Sequence, residues 1–328
     1  MRKYLVFILF VVAAVAAALV SIFWYFSATA APSSRTDEVR FVITKGSSAT
    51  KIAADLEEAG LIKSALAFKV YTQLNDEAGS IPPGEFSVPQ NLSIEELIAH
   101  LREGPTELWV SIPEGLRREE IAERVISQLN MSGADAIAFR EEFLALTRDE
   151  EGYLYPDTYL FPKDASAQVV VDRLTSTFDT KFTYDGSGVL TREEAVILAS
   201  IIERETITAE ERPMVAGILL NRISEDWPLQ ADATAQYALG TSRCGRKIGC
   251  DWWVPPTRDD LQINSPYNTY VVQGLPPGPI SNPGISSLNA AANPTPNDYM
   301  FYIHDTDQII RYAETLDEHN ANVQRYLR

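Results

Sequence analysis

The sequence predicts an α+β protein with one apolar N-terminal helix, then a small α/β module, then a larger α+β domain with a loop-built cleft. Three observations predict this fold class. An uncharged apolar run covers residues 4–26, strand-turn-helix patterns recur over residues 38–150, and residues 151–328 combine helical patterns with loops dense in Pro, Gly, Asn and Tyr. Short strand-helix units of this kind build small α/β modules rather than a doubly wound sheet.

The apolar run is long enough to cross a bilayer, which takes roughly 20 such residues. Arg2 and Lys3 precede it, and basic residues on the short side of a span keep that side in the cytoplasm. We therefore expect a single-pass anchor of the cell (inner) membrane over residues 1–26, a linker over 27–37 and an extracytoplasmic remainder. The alternative is a cleaved signal peptide, because Ala-Thr-Ala at 28–30 resembles a small-residue cleavage site.

The segment 38–150 contains two weakly related β-turn-α patterns, FVITKGSSATKIAADL and WVSIPEGLRREEIAERV. Helical patterns also occur in SALAFKVYTQL and in SIEELIAHLREG, which Ser93 caps, and a strand pattern occurs in PPGEFSV. No side chains here have a pattern typical of catalysis. We expect a folded spacer or a binding module.

The chain is acidic, with 45 acidic and 28 basic residues and a net charge of −17. This charge argues against binding nucleic acid or another polyanion by bulk attraction. A polymer ligand must then be held through local hydrogen bonds and stacking.

Two cysteines, Cys244 and Cys250, lie close together in TSRCGRKIGCDWW. A disulfide closing this small loop is expected outside the cytoplasm, where disulfides persist. Free thiols are the alternative, and zinc is disfavoured because no further ligands lie nearby in the sequence.

A helix is predicted over residues 191–206, and its start is fixed by a capping box of Thr191 and Glu194. Residues 195, 198, 199 and 202 form one apolar stripe, and Glu205 continues that stripe. Further helices are predicted over 166–183, 212–224 and 285–292, and strands in YMFYIH and IIRYAE.

A carboxyl on an apolar wall loses hydration, so the pKa of Glu205 should rise. A raised pKa prepares a carboxyl to act as a general acid near neutral pH. The alternative is an ion pair between Glu205 and Arg212 or Arg222. Glu203 falls off the stripe, and we expect it to be solvated.

Several motifs resemble the endolytic murein transglycosylase family (MltG, YceG-like). LASIIERET resembles the family's Ala-Ser-Ile-(Ile/Val)-Glu-Lys-Glu-Thr signature with Arg204 in place of Lys, and EGYLYPDTYLFP resembles its (E)GxxxPDTY segment. NRISEDWPLQADATAQYALG, SPYNTYVVQGLPPGPISNPGISSLNAAANP and the closing EHN at 318–320 are also similar to family motifs. The resemblance covers essentially the whole chain, including the anchor, a LysM-like module over 38–150 and a catalytic domain over 151–328.

The family's catalytic glutamate falls on Glu205. The resemblance implies endolytic cleavage of the β-1,4 bond between N-acetylmuramic acid and N-acetylglucosamine in nascent peptidoglycan strands. It also implies a 1,6-anhydro end on the product and a role in ending glycan elongation. One carboxyl is enough for this chemistry, because no water is activated. We expect no cofactor and no metal. The expected partners are glycan strands, with peptidoglycan synthases at the membrane as candidates.

Polar and aromatic groups around Glu205 are predicted to bind sugar hydroxyls and acetamido groups. Each has a structural alternative, such as turn capping, loop packing or surface bonding. Trp252 and Trp253 could stack on a sugar or bury the cysteine loop, and we favour structural roles for Glu151, Asp157 and Tyr159. The predicted substrate-binding residues are Asn221, Gln230, Asp232, Thr234, Tyr267, Asn268, Thr269, Asn282, Glu318 and His319, with Tyr270 beside them.

The sequence departs from the family pattern at two positions. Ala233 replaces the usual Pro of the Asp-Pro-Thr motif, and Ile310 stands where the family commonly has a His. Two other functions are kept as alternatives. One is a non-enzymatic glycan-binding or scaffold protein of the cell envelope, and the other is a glycoside hydrolase with Asp232 as its second carboxylate.

Overall fold

The computed structural model describes residues 2–77, 81–186, 188–245 and 247–327, with side chains from residue 7 onward. It confirms a mixed α+β fold. Helix α1 (Arg2–Thr29) is long and apolar, and its portion Phe7–Thr29 has a mean hydropathy of 2.7. By length and composition, this is the one helix among the described residues that could cross a membrane.

The chain divides into two compact units. The first comprises Met1–Trp109 and Leu160–Asp164, and the second comprises Val110–Tyr159 and Ala165–Arg328. The predicted boundary between residues 150 and 151 separates a module from a catalytic domain by function. It stays a prediction.

The strands and helices between residues 38 and 111 form where the sequence patterns predict them. Strands β1 and β2 pair antiparallel from Glu38 opposite Pro89 to Ile43 opposite Gly84. They belong to a four-stranded sheet of order β1-β2-β3-β4. Ser48, Ser64 and Ser93 accept hydrogen bonds from backbone N–H groups and cap the helices that follow. The elements are β1 (Glu38–Ile43), α2 (Ala49–Glu58), α3 (Ala65–Leu74), β2 (Gly84–Pro89), α4 (Ile94–Glu103), β3 (Glu107–Ser111) and β4 (Thr158–Pro162).

The second unit is a helical body with a two-stranded antiparallel hairpin. Its core is built from α8, α9 and α11 together with Tyr155, Phe178 and Leu229. The elements are α5 (Arg118–Gln128), α6 (Gly133–Leu146), α7 (Ala167–Lys181), α8 (Arg192–Glu205), α9 (Arg212–Ser224), α10 (Asp232–Cys244), α11 (Ile285–Ala292), β5 (Phe301–His304), β6 (Ile310–Ala313) and α12 (Leu316–Tyr326).

Helix α8 lies at the centre of this unit. The predicted capping box is present, because the Thr191 hydroxyl accepts from the Glu194 N–H while the Glu194 carboxylate accepts from the Thr191 N–H. Every residue from Ala195 to Ile202 is buried. The helix is therefore enclosed on all sides over these turns rather than along one stripe.

Three elements, α6, β4 and α10, had no predicted counterpart. The sequence of α6, GADAIAFREEFLAL, distributes its apolar residues without a clear helical stripe. Strand β4 lies inside EGYLYPDTYLFP, whose Pro and Gly residues are typical of a loop. Helix α10 starts at Asp232 inside a motif that predicted only a binding segment.

Candidate active site

The Glu205 carboxyl lies at the C-terminal end of α8 and is only partly exposed. Its Oε2 accepts a hydrogen bond of 2.9 Å from the Tyr302 hydroxyl on β5. Its Oε1 accepts a longer bond of 3.4 Å from the backbone N–H of Ala233, in the first turn of α10. In the described part of the chain, no Lys, Arg or His nitrogen lies within ion-pair distance of this carboxyl.

Burial raises the pKa of Glu205 above its ordinary value, and the nearby Asp232 charge adds to the rise. The hydrogen bonds from Tyr302 and Ala233 and the charge of Arg222 oppose it, but the net direction is upward. The protonated form is thereby favoured, while two donors remain in place for the ionised form. This combination suits a group that first gives and then takes a proton.

The two arginines proposed as ion-pair partners of Glu205 bind elsewhere. Arg222 donates through Nε to the Met300 carbonyl oxygen at 2.7 Å and through Nη1 to the Leu229 carbonyl oxygen. Arg212 pairs with Glu203 at 2.9 Å. The ion-pair alternative for Glu205 is therefore wrong.

The expectation that Glu203 is solvated is also wrong. Its side chain is 6% exposed. Besides the Arg212 guanidinium, it accepts bonds from the Gly284 N–H at 3.0 Å and from the Ser287 hydroxyl at 2.8 Å. Glu203 lies one residue beyond the enclosed stretch of α8, and its partners on α9 and α11 bury its side chain. Glu203 ties the end of α8 to α9 and α11.

Asp232 immediately precedes Ala233, whose N–H contacts Glu205. It is exposed at the start of α10, and its Oδ1 accepts a 2.6 Å bond from the Tyr270 hydroxyl. Gln230 is exposed and lies just before the N-cap of α10, in the left-handed region with φ of 50°, and its N–H donates to the Thr269 carbonyl. Asp232 and Tyr270 thus flank the acid with solvent-accessible polar groups.

Thr234, Thr269 and Asn268 do not fit the predicted role of sugar ligands. All three are buried. The two threonine hydroxyls bond to each other at 2.8 Å, and the Asn268 amide donates to the carbonyls of Leu261 and Ile263. These groups hold the loop around Tyr270 against α10, so they support the site rather than face it.

Asn282 likewise does not fit the predicted role, because it is fully buried. Its Oδ1 accepts from the N–H groups of Gly152 and Leu154, and its Nδ2 donates to the Leu116 carbonyl and to Glu151. An amide has two donors and two acceptor positions, so its capacity is used inside the fold. Asn282 joins three distant segments of the second unit.

The sequence and the fold of this chain are similar to those of known proteins. The YceG-like family profile matches residues 41–325. The chain belongs to the YceG-like family.

Curated relatives of this YceG-like chain include endolytic murein transglycosylases from two bacteria. The one from Streptococcus pneumoniae is 28% identical, and the alignment covers 87% of this chain and 58% of the relative. This chain therefore spans less than two thirds of that relative's length. The one from Bacillus subtilis is 29% identical, with 88% of this chain and 85% of the relative covered.

A crystal structure of a YceG-like protein from Listeria monocytogenes is also similar. It is 29% identical, with a TM-score of 0.53 over 87% of this chain and 99% of that chain. The shared fold therefore extends well beyond the motifs themselves.

Three further residues predicted to bind substrate take part in internal contacts of this YceG-like fold. The Asn221 amide donates to the carbonyls of Asn297 and Tyr299. Glu318 completes the capping box of α12 with Thr315. His319 packs against Phe301 with 5.2 Å between ring centroids, and burial lowers its pKa.

The cysteine loop is fixed to the helical body. Cys244 and Cys250 form a disulfide with a Cα–Cα distance of 5.7 Å. Trp252 is buried beneath the Arg117 guanidinium, and Trp253 stacks on Arg204 with 3.9 Å from the guanidinium carbon to the ring centroid. Tyr267 packs on Tyr237 at 4.8 Å between centroids. These contacts favour packing roles for all three aromatic residues.

Glu151, Asp157 and Tyr159 have structural contacts, as the sequence favoured. Glu151 is buried and accepts from the Arg118 N–H and the Asn282 amide. Burial, followed by the charge of Glu119, raises its pKa to about 8. Asp157 lies 3.7 Å from the Lys181 ammonium. The Tyr159 hydroxyl donates to the Tyr155 carbonyl at 2.6 Å.

Tyr302 was not predicted as a site residue, although it makes the shorter bond to Glu205. The alternation in its strand, YMFYIH, predicts which side chains share a face of the strand. The local sequence does not predict which part of the protein that face contacts. Ile310, which replaces the family's His, pairs across the hairpin with His304. His304 bonds to Glu211 at 3.0 Å, so the hairpin presents a histidine on the neighbouring strand.

Proposed function

We propose that this chain is a membrane-anchored endolytic lytic transglycosylase of peptidoglycan with Glu205 as its catalytic residue. The observation that carries the proposal is the Glu205 carboxyl, whose pKa is raised by burial and whose hydrogen-bond donors among the described residues are the neutral Tyr302 hydroxyl and Ala233 N–H. The names of the relatives from Streptococcus and Bacillus support the reaction class. The substrate is the β-1,4 bond between N-acetylmuramic acid and N-acetylglucosamine.

In the first step, Glu205 donates its proton to the glycosidic oxygen as the bond from that oxygen to C1 of muramic acid breaks. The leaving N-acetylglucosamine keeps the bonding electrons and the proton. Positive charge develops at C1, and the Glu205 carboxylate left behind lies close to it. An apolar wall favours the proton donor before this step, because it disfavours the charged carboxylate.

In the second step, the C6 hydroxyl of the same muramic acid attacks C1 and gives its proton to Glu205. The product has a 1,6-anhydro ring, and the enzyme returns to its starting protonation state with no water consumed. Between the steps Glu205 is ionised, and the Tyr302 hydroxyl and the Ala233 N–H hydrogen-bond to that form. The two donors thus stabilise the intermediate state of the acid.

Asp232 supports one other candidate reaction. It is exposed, and it precedes the residue whose N–H contacts Glu205. A second carboxylate next to the acid is what a glycoside hydrolase uses to activate water or form a covalent intermediate. The transglycosylase is preferred because the Tyr270 hydroxyl already occupies one Asp232 oxygen at 2.6 Å.

Mass spectrometry of glycan products separates the candidate functions. The full-length chain in detergent is incubated with purified, uncrosslinked glycan strands. Products ending in 1,6-anhydro muramic acid support the proposal, whereas reducing ends indicate hydrolysis. Strands that are bound but uncut would indicate a glycan-binding protein. Glu193→Gln is the matched control for Glu205→Gln, because Glu193 is an exposed glutamate on the same helix.

We further propose that α1 anchors the catalytic unit outside the cytoplasm, where nascent strands are made. The apolar length of Phe7–Thr29 supports a span, and Arg2 and Lys3 in the sequence support a cytoplasmic N-terminus. A periplasmic reporter fused after Arg328 should then be active, and a cytoplasmic one inactive. An active cytoplasmic reporter would contradict this orientation.

The remaining parts of the proposal concern the surroundings of the reaction. We propose that the module over 38–150 is LysM-like and aligns strands, and that loops around Tyr270 and the Pro-rich segment at 274–284 wall the cleft. We also propose that cleavage beside a peptidoglycan synthase ends strand elongation. Strand lengths from a synthase reaction with and without active enzyme test the last point, since unchanged lengths would refute it.

A further inference from the structure

A cavity in the 110–328 region is lined by residues other than those that contact Glu205. Its volume is about 600 Å³, and it lies among α5, α6 and the disulfide loop. Three arginines line it, together with aliphatic side chains. The lining includes Arg118, Arg140, Arg148, Ile137, Leu144 and Ile248.

Arg140 is the buried cation of this cavity, with 7% of its surface exposed. Its Nε and Nη2 are buried and make no hydrogen bond within the described ranges. The Glu123 carboxylate lies 3.9 Å from Nη2, which permits attraction but is too far for a hydrogen bond. The Gly249 N–H holds the other Glu123 oxygen at 3.0 Å. A buried guanidinium with free donors is costly unless an acceptor reaches it.

The acidic groups of the lining do not neutralise this charge. Glu119 already accepts from Arg117 at 3.1 Å and from Arg118 at 3.2 Å. Glu141 is exposed on α6. Arg148 is exposed and has no ion pair in the described part of the chain. On a chain with a net charge of −17, the cavity therefore presents Arg140, whose carboxylate neighbour Glu123 lies at 3.9 Å, and Arg148, which has no ion pair among the described residues.

We propose that this cavity binds the terminal carboxylate of a short peptide with small aliphatic side chains. The planar guanidinium fork of Arg140 matches a carboxylate, and Arg148 adds charge at the entrance. Ile137 and Ile248 are 58% and 71% exposed and provide an apolar wall for methyl-sized side chains. A bare inorganic anion would leave that wall unused.

The source of the ligand rests on the proposed function. Muramic acid in peptidoglycan carries short alanine-containing peptides with free carboxylates on its lactyl group. The cavity then binds the peptide of the strand, while Glu205 acts on the sugar. The enzyme would thereby distinguish strands with peptides from bare glycan.

The test is isothermal titration of the full-length chain in detergent with N-acetyl-D-alanyl-D-alanine, its C-terminal carboxamide, and inorganic phosphate. Saturable binding of the acid is expected, with affinity for the amide and for phosphate weaker by roughly tenfold or more. Arg140→Met should weaken binding of the acid by roughly tenfold and Arg148→Gln by roughly threefold. Arg258→Gln, an exposed arginine elsewhere in this unit, should leave it unchanged.

No saturable binding, equal affinity for acid and amide, or equal binding of phosphate would overturn the proposal. If Arg140→Met fails to fold, Arg148→Gln and the acid-amide pair still decide the question. The dipeptide contains no glycosidic bond, so its failure to bind leaves the proposed reaction standing. Conversely, if the unaltered chain fails to cut uncrosslinked strands that carry their peptides, the transglycosylase proposal fails and the titration result stands.

Discussion

Glu203 and Glu205 are two residues apart at the end of one helix, yet their surroundings differ in kind. Glu203 is met by a guanidinium, a backbone N–H and a hydroxyl, all within 3.0 Å. Glu205 is met by a phenol at 2.9 Å and by one long N–H contact at 3.4 Å. The first carboxyl has a full set of partners that favour its charge, and the second has few.

This difference shows how a fold separates a structural carboxylate from a catalytic one. Burial alone does not separate them, since both side chains leave bulk solvent. What differs is the compensation of charge, because Glu203 has a cation and two further donors as partners, whereas Glu205 has two neutral donors and burial raises its pKa. Four substitutions test this contrast, from the largest expected effect to the smallest.

Glu205→Gln should abolish cleavage. Glutamine keeps the size and the hydrogen bond from Tyr302 but cannot donate and recover a proton. The expected loss in rate is on the order of 10²-fold or more, the scale of acid-base catalysis. Cleavage of purified strands is measured by product chromatography at matched melting temperature. An active Glu205→Gln would remove Glu205 from the mechanism.

Glu203→Gln should mainly lower stability. The change leaves the buried Arg212 without its closest carboxylate partner, and breaking a buried pair costs about 3 kcal/mol. Differential scanning calorimetry should show a melting temperature lower by roughly 10 °C. Cleavage assayed below the transition should fall by less than tenfold. A stable but inactive Glu203→Gln would reverse the assignment of the two glutamates.

Tyr302→Phe should change the pH dependence of cleavage more than its maximum. The rate depends on protonated Glu205, so it falls as pH rises through the pKa of that carboxyl. Tyr302 favours the ionised form, and its removal raises this pKa further. The alkaline limb of kcat/KM should move to higher pH, with a maximum within about tenfold of the unaltered chain. A limb that moves to lower pH would contradict the role given to Tyr302.

Ala233→Pro should produce the same shift on a smaller scale. Proline lacks the N–H that contacts Glu205, and it is tolerated in the first turn of a helix. The bond lost is the longer of the two, so the alkaline limb should move less than in Tyr302→Phe. Ala233→Gly retains the N–H and serves as the control. Equal pH profiles for the proline and glycine variants would show that this N–H has no influence.

Local patterns predicted Glu205 and much of the framework, because helix caps and apolar spacing are local properties. The capping box at Thr191 fixed the register of α8, and this register places Glu205 at the end of the buried helix. The same reasoning failed for Glu203, because enclosure on all sides depends on α9 and α11. A pattern within one helix contains no information about how many neighbours surround it.

Polar residues outside α8 were harder to assign than the acid. Asn282 and Thr234 lie in motifs that resemble sugar-binding segments, yet both are buried and bonded within the fold. An amide or hydroxyl has the same capacity whether it faces a ligand or a neighbouring loop. Tyr302 was missed for the related reason that its contact with Glu205 spans 97 residues of sequence.

The hydrogen bonds of Asn282 have a consequence for the order in which the chain can fold. Its amide reaches the Leu116 carbonyl across 166 residues and the N–H of Gly152 across 130. Contacts between such distant positions form late, because a long loop must close first. The Leu116 carbonyl and the Gly152 N–H therefore stay exposed to solvent until residue 282 reaches them.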